Sequence, residues 1–161
     1  MSIRKILDFL SLYQTFVLER EAIIGEPIDL VFSFFSDASN LEVLTPKWLK
    51  FKILTEFPIV MKRNVKIDYK LKLHGFPIKW RSGITTWEPP YRFVDEQING
   101  PYTKWIHTHE FSESTKGILI KDRVEYQVLG GMFTNFLYVA KQLDRIFDYR
   151  KKKMEEFFNK T

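Results

Sequence analysis

Residues 104–126, KWIHTHEFSESTKGILIKDRVEY, decide how the rest of the chain is read. Alternation divides the stretch into two β-strands joined by a polar turn at Ser112–Lys116. Side chains alternate across a strand, so Trp105, His107, His109 and Phe111 share one face of the first strand. Ile118, Ile120, Asp122, Val124 and Tyr126 share one face of the second. A mostly apolar face that carries two imidazoles and a carboxylate is either a core with a polar network or the lining of a cavity.

Working outward, the strand pattern continues on the N-terminal side. Val65, Ile67, Tyr69, Leu71 and Leu73 alternate with Lys66, Asp68, Lys70 and Lys72, the pattern of a half-buried strand. His74–Pro77 turns the chain into Ile78–Trp87, with Ile78, Trp80, Ser82, Ile84 and Thr86 on one face. Glu88-Pro89-Pro90 breaks the chain before Tyr91–Ile98, and Asn99-Gly100-Pro101 leads back to Lys104. Earlier still, Thr15–Ile24 alternates as a strand and Phe51–Leu54 as a short one. Between them Pro27 opens a helix with Ile28, Val31, Phe32 and Phe35 at helical spacing. Ser36-Asp37 supplies the N-cap for a second short helix through Leu41 and Leu44, stopped by Pro46.

On the C-terminal side Gly130-Gly131 closes the last strand. Phe133, Phe136, Leu137, Ala140, Leu143, Ile146, Phe147, Met154, Phe157 and Phe158 then recur mostly three and four apart. This predicts a helix of about 28 residues and about 40 Å, long enough to cross a whole sheet. The order is strand, two short helices, six strands, long helix. An antiparallel meander needs one face covered, and only the long helix is large enough. The expected fold is α+β, a helix-grip: a curved antiparallel sheet of about seven strands around one C-terminal helix, enclosing a cavity. One domain over 1–161 is expected, with 1–12 as an N-terminal extension in which Ile3, Ile6, Leu7 and Leu10 follow helical spacing.

Composition narrows the function classes. The chain has no cysteine, which removes disulfides, thiolate chemistry and thiolate-bound metals and suits the cytoplasm. Arg4, Lys5 and Asp8 interrupt the first apolar stretch, so no signal peptide is expected. No apolar run approaches the ~18–20 residues of a membrane span. The net charge of +5 is spread along the chain apart from Lys151–Lys153, and no nucleic-acid-binding motif accompanies it. Arg4, Lys5 and Lys151–Lys153 are candidates for contact with an anionic membrane surface. Nucleophile motifs, phosphate-binding glycine loops and HExxH helices are missing from the sequence, so no cofactor and no metal is expected.

Turn lengths predict registers, because directly opposed residues point to one face. They place Phe111 opposite Ile118, His109 opposite Ile120, His107 opposite Asp122 and Trp105 opposite Val124. Leu73 opposite Ile78 puts Tyr69 opposite Ser82, and the longer turns bring Ser82 to Asp95 and Asp95 to His107. Tyr69, Ser82, Asp95, His107 and Asp122 then form a row across the inner face. Such a row is a satisfied polar network, a set that orients one end of a ligand, or a catalytic centre with His107 as general acid or base. His109 adds a candidate metal ligand. Flanked by two carboxylates, His107 is expected to titrate above the unfolded ~6.5, and His109 lower.

The stretches PIDLVFSFFSDASNLEVLTPKWLKFKIL, IDYKLKLHGFPIKWRSGITTWEPPYRFVDEQINGPYTKWIHTHEF, DRVEY and QLDRIFDYRKKKM carry a resemblance. Over about residues 14 to 158 the chain resembles the SRPBCC superfamily of START-like, birch-pollen-allergen-like domains. Within it, bacterial polyketide cyclase/dehydrase-type and coenzyme-Q-binding-type members are the most similar. The resemblance implies binding of a sterol, lipid, quinone or polyketide, or cyclisation or dehydration of one, and it assigns no catalytic residue. The resulting expectation is a binding protein for an apolar small molecule. Its cavity walls are Tyr69, Leu71, Trp80, Ile84, Phe93, Trp105, Phe111, Val124, Leu143 and Phe147. Ser82, Asp95, His107, His109 and Asp122 supply the polar end. The alternative is a small cyclase or dehydratase using His107.

Overall fold

The computed structural model describes residues 14–73 and 75–159. The expected N-terminal helix, Arg4, Lys5 and His74 lie outside the described residues. Seven strands form one sheet: β1 (Phe16–Ile24), β2 (Lys52–Ile53), β3 (Lys66–Leu73), β4 (Phe76–Glu88), β5 (Arg92–Asn99), β6 (Lys104–Ser114) and β7 (Gly117–Gln127). Their order across the sheet is β1-β7-β6-β5-β4-β3-β2, and every pairing is antiparallel. Two short helices, α1 (Ile28–Ser36) and α2 (Asn40–Leu44), follow β1. The C-terminal helical run starts with α3 (Gly131–Thr134), passes through a π-turn at Asn135–Val139 and continues as α4 (Ala140–Phe158). This is the helix-grip α+β fold expected from the pattern.

Local chemistry explains the boundaries. Pro27 precedes the first helical residue of α1, where its missing N–H leaves no bond unmade. The Asp37 carboxylate accepts from the Ser39 N–H (2.8 Å) and hydroxyl (2.7 Å), turning the chain from α1 into α2. Phe32 and Phe35 of α1 pack edge-on against Phe111, at 5.4 and 5.2 Å between ring centres. Met154 and Phe158 from the far end of α4 join the same cluster. Leu143 and Phe147 pack with Leu18, Val124 and Tyr126 in a second cluster.

Two of the hairpins are tighter than their sequences suggested. β6 runs on to Ser114 and β7 begins at Gly117, leaving Thr115-Lys116 as the turn. The left-handed conformation falls on Gly117 (φ 125°), where a Cβ would lie 2.4 Å from the Ile24 carbonyl oxygen. Phe111 therefore faces Ile120 rather than Ile118, His109 faces Asp122, His107 faces Val124 and Trp105 faces Tyr126. β3–β4 slips in the same sense: Leu73 faces Phe76, Tyr69 faces Trp80, and Ser82 faces Ile67. Across β4–β5, Asp95 faces Ile84 and Ser82 faces Gln97, with a bulge between Ile84 and Thr86. Asp95 does face His107. Each slip is by two residues, so the row keeps its face and becomes staggered; only past the bulge does the face change, with Thr86 opposite Val94 and Trp87 turned in beside Phe32 and Phe93.

The long helix departs from expectation at its start. Its apolar stripe reads as continuous, yet Leu143, Phe147, Met154 and Phe158 are buried while Phe133, Phe136 and Leu137 are exposed. The five-residue π-turn rotates the face between the two parts, and the Tyr126 hydroxyl donates to Asn135 Oδ1 at its first residue (2.8 Å).

Candidate functional site

A cavity of about 180 Å³ lies between the inner face of the sheet and α4. Twelve residues expected at the site line it: Tyr69, Leu71, Trp80, Ser82, Ile84, Phe93, Asp95, Trp105, His107, His109, Leu143 and Phe147. Phe111, Val124 and Asp122 do not. Phe111 is covered by the α1 phenylalanines, Val124 is fully buried beneath α4, and Asp122 stands behind the histidines, facing Arg150.

The polar lining falls into two groups. In the first, Tyr69 Oη and Ser82 Oγ share a hydrogen bond (2.9 Å), and Trp80 Nε1–H donates to the same Ser82 oxygen (3.1 Å). Burial pushes the Tyr69 phenol well above its ordinary range, and the nearby Asp95 charge adds to this. The phenol stays neutral and keeps its proton to donate.

The second group is a box of two imidazoles between two carboxylates. His107 Nε2–H donates to Asp122 Oδ1 (3.2 Å), and His109 Nε2–H donates to Asp95 Oδ2 (3.2 Å). The remaining nitrogens face the opposite carboxylates: His107 Nδ1 is 3.6 Å from Asp95 Oδ2, and His109 Nδ1 is 2.6 Å from Asp122 Oδ1. The last of these lacks hydrogen-bonding alignment, which leaves His109 Nδ1 without a bond. The two rings lie 3.8 Å apart, and Phe93 stacks on the His109 ring at 4.2 Å. Arg150 reaches the box from α4, with Nε 3.8 Å from Asp122 Oδ2 and the guanidinium over the Phe35 and Phe147 rings.

The electrostatics reverse the expected order of the histidines. Burial is the largest influence on both rings and opposes charge on each. On His107 the neighbouring imidazole adds to burial, and Asp122 and Asp95 do not outweigh them, so its pKa falls. On His109 the Asp122 charge close to Nδ1 and the Asp95 hydrogen bond outweigh burial, and its pKa rises. The expectation that His107 titrates higher is overturned, because the tighter β6–β7 turn sets Asp122 directly opposite His109. Burial pushes both carboxyls up, but Arg150 and the histidines hold Asp122 well below its ordinary value, and the histidines with Arg150 hold Asp95 below its own. Charge is thus favoured on His109 and disfavoured on His107, and Asp95 and Asp122 face His109 and the Arg150 guanidinium.

This wiring bears on chemistry. His107 lines the cavity, but Asp122 takes its Nε2–H and Asp95 faces its Nδ1. A general base needs a nitrogen open to substrate, and both of these are directed at protein carboxylates. Asp95, His107 and His109 bring one carboxylate oxygen and two ring nitrogens within 4.8 Å of one another, the donor set that could hold a divalent ion. The Arg150 charge beside Asp122 works against a cation there.

Arg150 and Tyr102 line the cavity and were not among the residues read from the sequence. A signal for Arg150 existed. Leu143, Phe147, Arg150 and Met154 are spaced four, three and four apart, so the guanidinium sits on the buried stripe of the helix. Burial raises the Tyr102 phenol above its ordinary value, aided by Tyr126.

No protein-family model matches the chain, and no curated protein matches its sequence. Solved structures do. Protein CV1439 from Chromobacterium violaceum superposes with a TM-score of 0.69 at 11% identity, covering 88% of this chain and 96% of that one. Protein Ms6760 from Mycobacterium smegmatis gives 0.66 at 13% identity, covering 92% of each chain. The major latex-like protein 151 from Panax ginseng gives 0.64 at 12% identity, covering 89% of this chain and 97% of that one. At such identities the likeness is one of fold, the helix-grip seen here.

Proposed function

From a helix-grip fold with an apolar-walled cavity and one polar end, we propose that the protein binds a hydrophobic small molecule of lipid, quinone or polyketide type. The observation that carries this reading is the lining itself. Leu71, Trp80, Ile84, Phe93, Trp105, Leu143 and Phe147 surround about 180 Å³ of space, while the Tyr69–Ser82 pair and the histidine box sit together on the sheet. Pockets that bind small molecules have this composition, apolar walls with a few placed polar groups. The volume is slightly above the ~150 Å³ of an engineered cavity that admits benzene. It suits a ring-sized group, held at its oxygen by Tyr69 or Ser82.

Removing ~200 Å² of apolar ligand surface from water yields roughly 5 kcal/mol gross, before the costs of association. Micromolar affinity takes about 8 kcal/mol, so the hydrogen bonds of the polar end have to add to the apolar walls, with no covalent step involved. Protein isolated from its own host and weighed by native mass spectrometry is expected to carry a co-purifying apolar compound. Ile84→Trp, which fills the cavity, is expected to lose that mass while remaining folded. A chain with no added mass and no response to a panel of quinones, fatty acids and aromatic polyketides would sink the reading.

A further inference from the structure

The apolar stripe of the C-terminal run continues where its contact with the core stops. Phe133, ahead of the π-turn, and Phe136, within it, are 75% and 80% exposed, and Leu129, at the end of the sheet, is 80% exposed. Met132, Leu137 and Tyr138 are exposed as well. Single exposed apolar residues are ordinary, but six within ten positions form a patch of the kind that marks an interaction surface. The tip of the β3–β4 hairpin adjoins it. Gly75 lines a surface groove together with Leu137, Tyr138 and Trp48, and the neighbouring Phe76 is exposed.

The rim of this patch is basic. Lys72, Lys141 and Arg145 line the same groove, no acidic side chain among the described residues lines it, and the Arg145 guanidinium is held 5.3 Å above the Trp48 ring. Asp144, the acid beside Arg145 in the sequence, is paired with Arg20 of β1. A second shallow groove contains Leu129, Tyr138, Leu73 and Tyr102, and the last two also line the cavity. The patch therefore borders one side of the cavity wall.

We propose that this face, Leu129–Tyr138 with the Lys72, Lys141 and Arg145 rim, docks on an anionic lipid bilayer. Aromatic and aliphatic side chains enter the interfacial layer and the basic rim meets the headgroups, as in helices that lie in the membrane plane. A second copy of the chain is a poorer occupant. A two-fold contact through the same patch would set basic rims against each other, which a negatively charged surface avoids. The Lys151–Lys153 triplet is not part of this face. It lies about 30 Å along the helix from Phe133 by helical rise, and Lys153 pairs with Glu156. The inference stands apart from the binding reading, since a surface can dock whether or not the cavity is filled.

The test is co-sedimentation of the full chain with phosphatidylcholine vesicles, with and without phosphatidylserine, at low salt. Binding is expected only with phosphatidylserine. Phe133→Ser with Phe136→Ser should weaken it at least about tenfold, given what burial of a phenylalanine contributes. Lys141→Gln should weaken it about fivefold, the share of one charge near such a surface. The triple change of Lys151, Lys152 and Lys153 to Gln should leave it unchanged. All these positions are exposed or only half-buried, so thermal melting of each variant should match the parent. The inference falls if phosphatidylserine vesicles bind no protein at low salt, or if binding survives the double phenylalanine change. It falls equally if that change instead abolishes a dimer seen by sedimentation. Ligand retention in the same double variant, read by native mass spectrometry, separates failure of docking from failure of the cavity reading.

Discussion

His107 and His109 are two residues apart, share a face and touch the same two carboxylates, yet they shift in opposite directions. NMR titration is expected to find His109 above the ordinary imidazole value and His107 below it; the reverse order would contradict the geometry of the box. The signs for stability differ accordingly. The His109 contribution is full below the unfolded ~6.5 and is lost as pH rises through its higher folded value. The His107 contribution is full above ~6.5 and is lost as pH falls through its lower folded value. Asp95 and Asp122, both depressed, contribute above about 3.9 and lose this as pH falls through their folded values. Asp122→Asn leaves Arg150 and His109 short of a counter-charge in a buried site. The expected loss is about 3–5 kcal/mol in urea unfolding, the usual cost of breaking a buried pair, together with a fall in the His109 pKa. The residues of the box were legible in the sequence because strand alternation fixes a face. So was the place of His107 between Asp95 and Asp122; that Asp122 stands directly opposite His109 was not, since register depends on turn geometry and Gly117 tightens the hairpin by two residues.

The helical run from Gly131 to Phe158 shows the same limit at the level of an element. Periodicity locates it, but a π-turn is invisible to a count of threes and fours. The two parts of one stripe consequently have different roles, which mutagenesis can separate. Phe147 is buried against the second core cluster, its ring 5.6 Å from that of His107. Phe147→Ala is expected to cost about 3–5 kcal/mol. Phe136→Ala, at a largely exposed position, is expected to change stability by no more than about 0.5 kcal/mol. Chemical denaturation measures both, and equal losses would mean that Phe136 is packed after all. Arg150 was missed for a related reason: beside Lys151–Lys153 it reads as one more solvated cation, and only its place on the stripe marks it as turned toward the core.

At the scale of the whole molecule, the sheet brings its first and last strands together. β1 pairs with β7, Gln127 Nε2 donates to Thr15 Oγ1 (2.9 Å), and Arg20 pairs with Asp144 and, at 3.7 Å, with Asp148 of α4. Sheet and helix enclose the cavity jointly, so a molecule held between them stabilises the fold as a unit. At a hundred times its dissociation constant a ligand should add about 2.7 kcal/mol. For a chain of this size that is roughly 5–10 °C in thermal midpoint. Differential scanning calorimetry should show the rise in the parent and none in Ile84→Trp; an equal rise in both would place the ligand outside the cavity. The order of elements made the architecture readable, because a meander and one long helix have few ways to cover each other. The volume left between them was not, since it depends on how side chains from both layers interlock.

Trp80 and Trp105 line that space with their rings 5.3 Å apart and nearly perpendicular, at 89°. Indoles so close exchange excitation, and a fixed chiral pair splits its shared absorption band into two lobes of opposite sign in circular dichroism. A guest pressing on either ring changes the angle between the two transition dipoles and with it the size of the lobes. The protein thus carries an optical gauge of its own occupancy, readable without any label.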